Sequence, residues 1–219
     1  MKNFIEILKK VSLFYGIGEE DLSRMLGCLG AKIKAYEKKS TILEEGSNVR
    51  EIGILLSGTA QLIRHDYYGN RSILLEVKPG DLFAESFACA ELDEIPISVI
   101  AIEPCRVMLI ECAHILRTCS GGCEFHHRMI YNLMRELAKK NLTYYRKISV
   151  TSKRTTRDKL LAYLDTEAKL AGCRKFKIPF DRQELADYLE VDRSGLSAEI
   201  GKLKKERILD SRKNEFTLF

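Results

Sequence analysis

The stretch Phe180–Arg207, FDRQELADYLEVDRSGLSAEIGKLKKER, constrains the fold more than any other. Asp181 can cap a helix, and Glu184 three residues later completes a capping box. Leu185, Ala186 and Leu189 then form one apolar stripe at helical spacing. Glu190 and Val191 interrupt it, and Asp192 can cap a second helix whose stripe is Leu196, Ile200 and Leu203. Two short helices, a tight turn and a small Ala186 where the backbones approach describe a helix-turn-helix. In that motif the second helix lies in the DNA major groove with its N-terminal residues at the base edges, here Arg193, Ser194, Ser197 and Ala198. An αα-hairpin in a helical core would show the same stripes. The cations Arg193, Lys202, Lys204, Lys205 and Arg207 do not separate the two readings, because any solvated helix can carry them.

Charge along the chain adds a second argument. The first 124 residues hold 14 Lys and Arg against 18 Asp and Glu, a net −4, whereas the remainder holds 22 against 13, a net +9. A basic C-terminal part behind an acidic N-terminal part fits a nucleic-acid reader joined to something else. Met1–Leu13 is a short amphipathic helix rather than a signal peptide, and no apolar run approaches the ~20 residues of a membrane span. The expectation is a soluble cytoplasmic protein with no membrane partner. Seven cysteines, an odd number without a CxxC pair, argue for reduced thiols.

Between Ala31 and Ile110 the pattern is of short alternating apolar runs punctuated by Gly, Asn, Asp and Pro, which indicates a β-sandwich or jelly-roll barrel. Tyr68-Gly69-Asn70 is a hairpin tip and Lys78-Pro79-Gly80-Asp81 another turn. From about Glu124 the period becomes helical, with a seam of Ile130, Leu133, Leu137, Tyr144 and Ile148 and a polar step at Asn141. Such a helix extends about 37 Å and suits pairing with its own copy, because a polar residue in a seam commonly sets register between identical helices. Thr151–Ser152 reads as a hinge. Thr156–Ala171 is a further helix, Phe176–Pro179 a short strand, and Leu209–Ser211 with Glu215–Phe219 a hairpin, which makes the C-terminal part a winged helix.

This order of elements resembles the Crp/Fnr superfamily of bacterial transcription regulators. The resemblance is carried in the roll by Tyr36-Glu37, Ile42-Leu43-Glu44-Glu45-Gly46, Ile54-Leu55-Leu56-Ser57-Gly58, Gly69 and Pro79-Gly80-Asp81-Leu82-Phe83-Ala84-Glu85. At the other end it is carried by Arg182-Gln183-Glu184-Leu185-Ala186 and Val191-Asp192-Arg193-Ser194. It implies an α+β chain: a double-stranded β-helix, the jelly roll of cyclic-nucleotide-binding-like sensors, over residues 1–113. A dimerisation helix over 114–150 and a winged helix-turn-helix over 151–219 follow. It also implies a homodimer on a palindromic operator in double-stranded DNA, in contact with RNA polymerase.

By the same resemblance Arg193 would grip a guanine edge, with Ser194 and Ser197 beside it, while Arg182, Gln183 and Lys202, with Lys204 and Lys205, would hold phosphates. Ser194 and Ala198 stand where the family usually has a carboxylate and a second basic residue, and Glu190 stands at the glycine of the turn. In the sensor, Glu85 matches the glutamate that holds a ribose in cyclic-nucleotide-binding members. Ala84 replaces the preceding glycine, and Ile95 and Pro96 replace the arginine and serine that bind the phosphate. Without that arginine a buried phosphodiester lacks its charge-assisted bonds, so tight cAMP or cGMP binding is not expected. The effector candidates are Glu85, Ser86, Ile95 and Pro96 in the roll and Lys140, Asn141 and Tyr144 on the long helix. The sequence names no cofactor.

Cys105, Cys112, Cys119 and Cys123, with His114, His126 and His127 close by, offer a thiol- or metal-based alternative, but their spacing matches no established metal pattern. An enzyme on the roll would need clustered histidines and carboxylates on strands. Only His65 lies there, and no GxSxG, Walker or HExxH motif occurs. A protein-binding adaptor that has lost DNA binding is the remaining alternative.

Overall fold

A computed structural model of the chain describes residues 4–116 and 124–219. The chain divides into two compact units, Met1–His65 with Leu74–Asn141 and Asp66–Ile73 with Leu142–Phe219.

The first unit begins with α1 (Ile5–Leu8), a 3-10 turn at Ser12–Phe14 and α2 (Glu19–Cys28). The strands β1 (Lys32–Tyr36), β2 (Thr41–Leu43), β3 (Glu51–Ser57), β4 (Ala60–His65), β5 (Arg71–Val77) and β6 (Leu82–Phe83) follow. After the short α3 (Glu85–Cys89) come β7 (Ser98–Ala101), β8 (Cys105–Glu111) and α4 (Cys112–Leu116). The strands form two four-stranded sheets, β1-β8-β3-β6 and β2-β7-β4-β5, the order expected of a jelly roll. Sequence reading finds the strand runs but not α3, which is too short to show a period.

β3 and β8 are apolar on both faces, because both faces are covered. Ile52, Ile54 and Leu56 of β3, with Met108 and Ile110 of β8, pack against the helices outside the roll. Leu55, Val107 and Leu109 turn inward against Phe83, Val99 and Leu62. Each such side chain removed from water stabilises the unit by roughly 1.5–3 kcal/mol. Gly53 sits opposite Phe83 in the β3–β6 register, and the Phe83 ring occupies the space a methyl group would need. Gly58 turns the chain from β3 to β4 with φ +84°, a conformation glycine adopts without a Cβ clash.

The second unit holds α6 (Thr156–Ala171), β9 (Lys175–Lys177), α7 (Arg182–Leu189), α8 (Arg193–Lys205), β10 (Leu209–Arg212) and β11 (Glu215–Leu218), preceded by the long α5 (Glu124–Thr151), which passes from one unit into the other after Asn141. Its antiparallel sheet runs β10-β11-β9, with Phe216 opposite Phe176. Leu160 and Leu164 of α6, Leu185 and Leu189 of α7, and Leu196, Ile200 and Leu203 of α8 are buried. Three helices on a three-stranded wing make this a winged helix-turn-helix, the α+β architecture expected from the sequence. Arg71, in the hairpin segment that belongs to this unit, pairs with Asp187 at 2.7 Å.

The helix α5 differs from the expected seam. Leu133 is buried, and Leu137 packs against the same core beside Met129. Asn132 is fixed by donating to the carbonyls of Leu13 at 3.0 Å and Tyr15 at 2.9 Å. The exposed stripe is Tyr131, Met134, Ala138, Asn141, Tyr145 and Ile148, spaced three and four apart, with Leu142 beside it. The helix carries two apolar stripes, and periodicity alone does not say which one faces its own domain. Of the expected seam only Ile148 and the polar Asn141 lie on the exposed stripe.

Candidate nucleic-acid interface and sensor site

The helix-turn-helix is built from local polar bonds before any packing. The Asp181 carboxylate accepts from the Glu184 amide at 2.8 Å, and the Glu184 side chain accepts from the Asp181 amide at 2.9 Å, the expected capping box. Asp192 caps α8 by accepting from the Gly195 amide at 2.7 Å and from the Ser194 hydroxyl. The Ser194 bond, then the Gly195 bond, hold the Asp192 carboxyl below its ordinary range. Between the helices Glu190 adopts the left-handed conformation, φ +55° and ψ +56°. A non-glycine residue there stores strain, as the missing turn glycine suggests.

The cations of this unit sort into two groups. Arg157 reaches from α6 to Glu199 at 3.4 Å and Glu206 at 2.5 Å, and Lys159 donates to the carbonyls of Leu189 and Glu190 at 3.2 Å each. Lys204 is held by Asp210 at 2.8 Å and the Ser211 carbonyl at 2.9 Å. These three brace the motif, a role that sequence spacing does not reveal. Arg193, Ser197, Ala198, Lys202 and Lys205 are exposed on α8, with Lys202 only loosely paired to Glu199 at 3.4 Å. Arg193 makes no salt bridge among the described residues.

Two sequence candidates are more constrained. Gln183 donates to Asp187 at 2.8 Å. Arg182 is half-buried, lies over the Phe216 ring at 5.7 Å and donates to the Lys213 carbonyl at 3.4 Å. Burial, then the nearby charge of Arg193, push its guanidinium pKa down. Arg182 and Lys213 also line a cleft of about 420 Å³ between the start of α7 and the wing.

In the first unit the effector candidates separate. Glu85 and Lys140 come together as a buried ion pair at 2.9 Å, and Lys140 also donates to the Leu82 carbonyl. Ile95 is buried in the roll interior, its amide and carbonyl bonded to Ser47 at 3.0 Å and Gly46 at 2.8 Å. Ser86, Pro96 and Asn141 are exposed. Tyr144 is partly buried and belongs to the second unit. Ala84 takes the left-handed conformation, φ +62°, at the start of α3, a conformation that glycine adopts without a Cβ clash. A separate cleft of about 320 Å³, lined by Lys10, Tyr15, Asn132, Arg135 and Lys139, involves none of these residues.

Of the four cysteines, Cys105 and Cys112 lie in different cores. Cys105 lies in the roll interior, bonded to the carbonyls of Thr59 at 3.3 Å and Glu103 at 3.1 Å, and burial pushes its thiol pKa up. Cys112 belongs to the other core, and its sulfur stands 3.3 Å from that of Cys89. His114 contacts the Leu29 carbonyl at 3.0 Å, His126 is buried and His127 exposed. Cys119 and Cys123 lie outside the described residues. Among the described residues, no three Cys, His, Asp or Glu side chains converge as a metal site. No helix among them is long and apolar enough to cross a membrane.

Residues 33–121 match the sequence profile of the cyclic nucleotide-binding domain. No curated protein matches the chain by sequence. Solved structures do match in fold. The c-di-GMP responsive global regulator CLP of Xanthomonas campestris superposes with a TM-score of 0.73 at 17% identity, over 90% of this chain and 99% of that one. CprK in complex with OCPA gives 0.70 at 17%, over 91% and 89%. TTHB099, a CRP-family transcriptional regulator of Thermus thermophilus, gives 0.61 at 20%, over 84% and 91%.

Proposed function

Because the chain has the Crp/Fnr fold from its sensor roll to its winged helix, we propose that it is a homodimeric DNA-binding transcription regulator. The observation that carries this reading is the tip of α8, where Arg193, Ser197, Ala198 and Lys202 face solvent while the bracing cations are engaged elsewhere. Arg193 reads a base edge, Ser197 and Ala198 line the approach, and Lys202 with Lys205 holds phosphates. Ser194 supports the cap and Gln183 positions Asp187, so both sit at the margin of the contact. Arg182 approaches a phosphate only through its half-exposed side. Two copies pair along the exposed stripe of α5, and two α8 tips then read a palindrome with half-sites about 34–36 Å apart. RNA polymerase is the partner such a regulator addresses.

The roll serves as a sensor for a small effector or a redox signal rather than for a cyclic nucleotide. Ile95 and Pro96 supply no cation for a phosphodiester, and Lys140, the one cation among the effector candidates, is neutralised by Glu85. CLP responds to c-di-GMP and CprK is complexed with OCPA, so chains of this fold take chemically different ligands. The sequence carries no GxSxG, Walker or HExxH motif, and the reading is of a chain that acts by binding.

The decisive experiment is fluorescence anisotropy of the purified chain on DNA fragments from its own promoter region, with and without reductant. A shift that competitor DNA of unrelated sequence does not abolish is expected. No shift under any redox condition or with any host metabolite extract would favour the adaptor reading. Calorimetry with cAMP and cGMP should show no micromolar binding.

A further inference from the structure

We propose that Cys89 and Cys112 form a reversible dithiol–disulfide pair in the sensor unit, oxidised by a hydroperoxide. The two are 23 residues apart in sequence, at the end of α3 and the start of α4, and no motif links them. The fold packs α3 against α4 and brings the sulfurs to 3.3 Å. A disulfide is about 2.05 Å long, so closure needs a movement of roughly 1.2 Å, within the range of side-chain rotation. The other described thiols lack this geometry: Cys105 bonds two carbonyls inside the roll, and Cys28 and Cys173 are exposed.

The surroundings assign the two roles. Cys89 is partly exposed, whereas Cys112 is buried. The contact with the Cys112 sulfur holds the Cys89 thiol pKa below its ordinary value, against burial and then the charge of Glu85, while the same contact and then burial push the Cys112 thiol up. The accessible thiolate is the nucleophile. It attacks the terminal peroxide oxygen, the O–O bond breaks, and the departing hydroxide of hydrogen peroxide (alkoxide of an organic hydroperoxide) takes a proton to leave as water (or alcohol), which gives a sulfenic acid on Cys89. The Cys112 sulfur then attacks the Cys89 sulfur, the S–S bond forms as the S–O bond breaks, and the sulfenic hydroxyl leaves as water with the Cys112 thiol proton. Two thiols are oxidised and one peroxide is reduced. α3 begins at Glu85, so the bond would fix the helix that carries the Glu85–Lys140 pair.

The assignment concerns the sensor unit alone and does not depend on DNA recognition. Full-length reduced protein is treated with one equivalent of hydrogen peroxide without oxygen, alkylated and digested without reductant. The expected result is the loss of two free thiols and one peptide joining Cys89 to Cys112, both reversed by dithiothreitol. In Cys112→Ala, Cys89 should stop at the sulfenic acid and be trapped by dimedone. The wild-type digest stands even where that variant fails to fold. Oxidation confined to Cys28 or Cys173, or a cross-link from Cys89 to any other cysteine, would overturn the proposal.

Discussion

Glu190 holds a left-handed backbone that costs an L-residue about 1–2 kcal/mol, while glycine there costs about 0.5–1 kcal/mol in unfolded-chain entropy. Glu190→Gly should therefore stabilise the winged unit by roughly 0.5–1 kcal/mol in urea unfolding. A loss of stability would show that the side chain has a role the fold does not reveal. The pair Glu85–Lys140 carries the opposite sign. Lys140→Ala leaves a carboxylate buried without its partner and should cost about 3–5 kcal/mol, whereas Glu85→Leu with Lys140→Met should cost far less. Equal costs in the two variants would mean that the pair is solvated in the folded chain. Tyr188 supplies a pH effect. Burial, then the charge of Glu167, push its phenol up to about 12, and the Lys147 ammonium sits 4.6 Å from its ring centroid. Between pH 10 and 12 the unfolded chain loses this proton and the folded chain keeps it, so stability falls as pH rises, by up to roughly 2–3 kcal/mol. Tyr188→Phe should remove that part of the alkaline loss in thermal melts.

At the scale of the element, α8 divides its labour along its length. Its buried stripe, Leu196, Ile200 and Leu203, holds it to α6 and α7, and Arg157 clamps it through Glu199 and Glu206. The opposite face is left for a ligand. Arg193→Ala should weaken binding to a selected operator by about 1–3 kcal/mol and relax sequence preference at one position. Lys202→Ala should weaken binding to all sequences alike and reduce the salt slope by about 0.9. Anisotropy titrations at several salt concentrations separate the two. Identical behaviour of both variants would remove the distinction between base reading and phosphate holding.

For the whole molecule the consequence lies along α5. Met134, Tyr145 and Ile148 are each more than half exposed on a helix of 28 residues, an apolar surface that a single chain leaves to water. If two copies pair there, Met134→Glu with Ile148→Glu places like charges in the seam and should convert a dimer to a monomer in sedimentation equilibrium. Circular dichroism should be unchanged, because neither residue belongs to a core. A variant that stays dimeric would place the contact on another face.

The elements that were legible in sequence are those whose signal is local. The capping box of Asp181 and Glu184, the cap at Asp192, the apolar stripes of α7 and α8 and the glycine turns of the roll each depend on residues a few positions apart, and the chain alone determined them. What only the tertiary structure decided joins residues far apart. It turned Leu133 inward and Tyr131 outward on one helix, matched Lys140 with Glu85, set Arg157 and Lys159 to bracing, and brought Cys89 to Cys112. No periodicity encodes such meetings, because burial and charge pairing are settled by which surfaces the folded chain closes against each other.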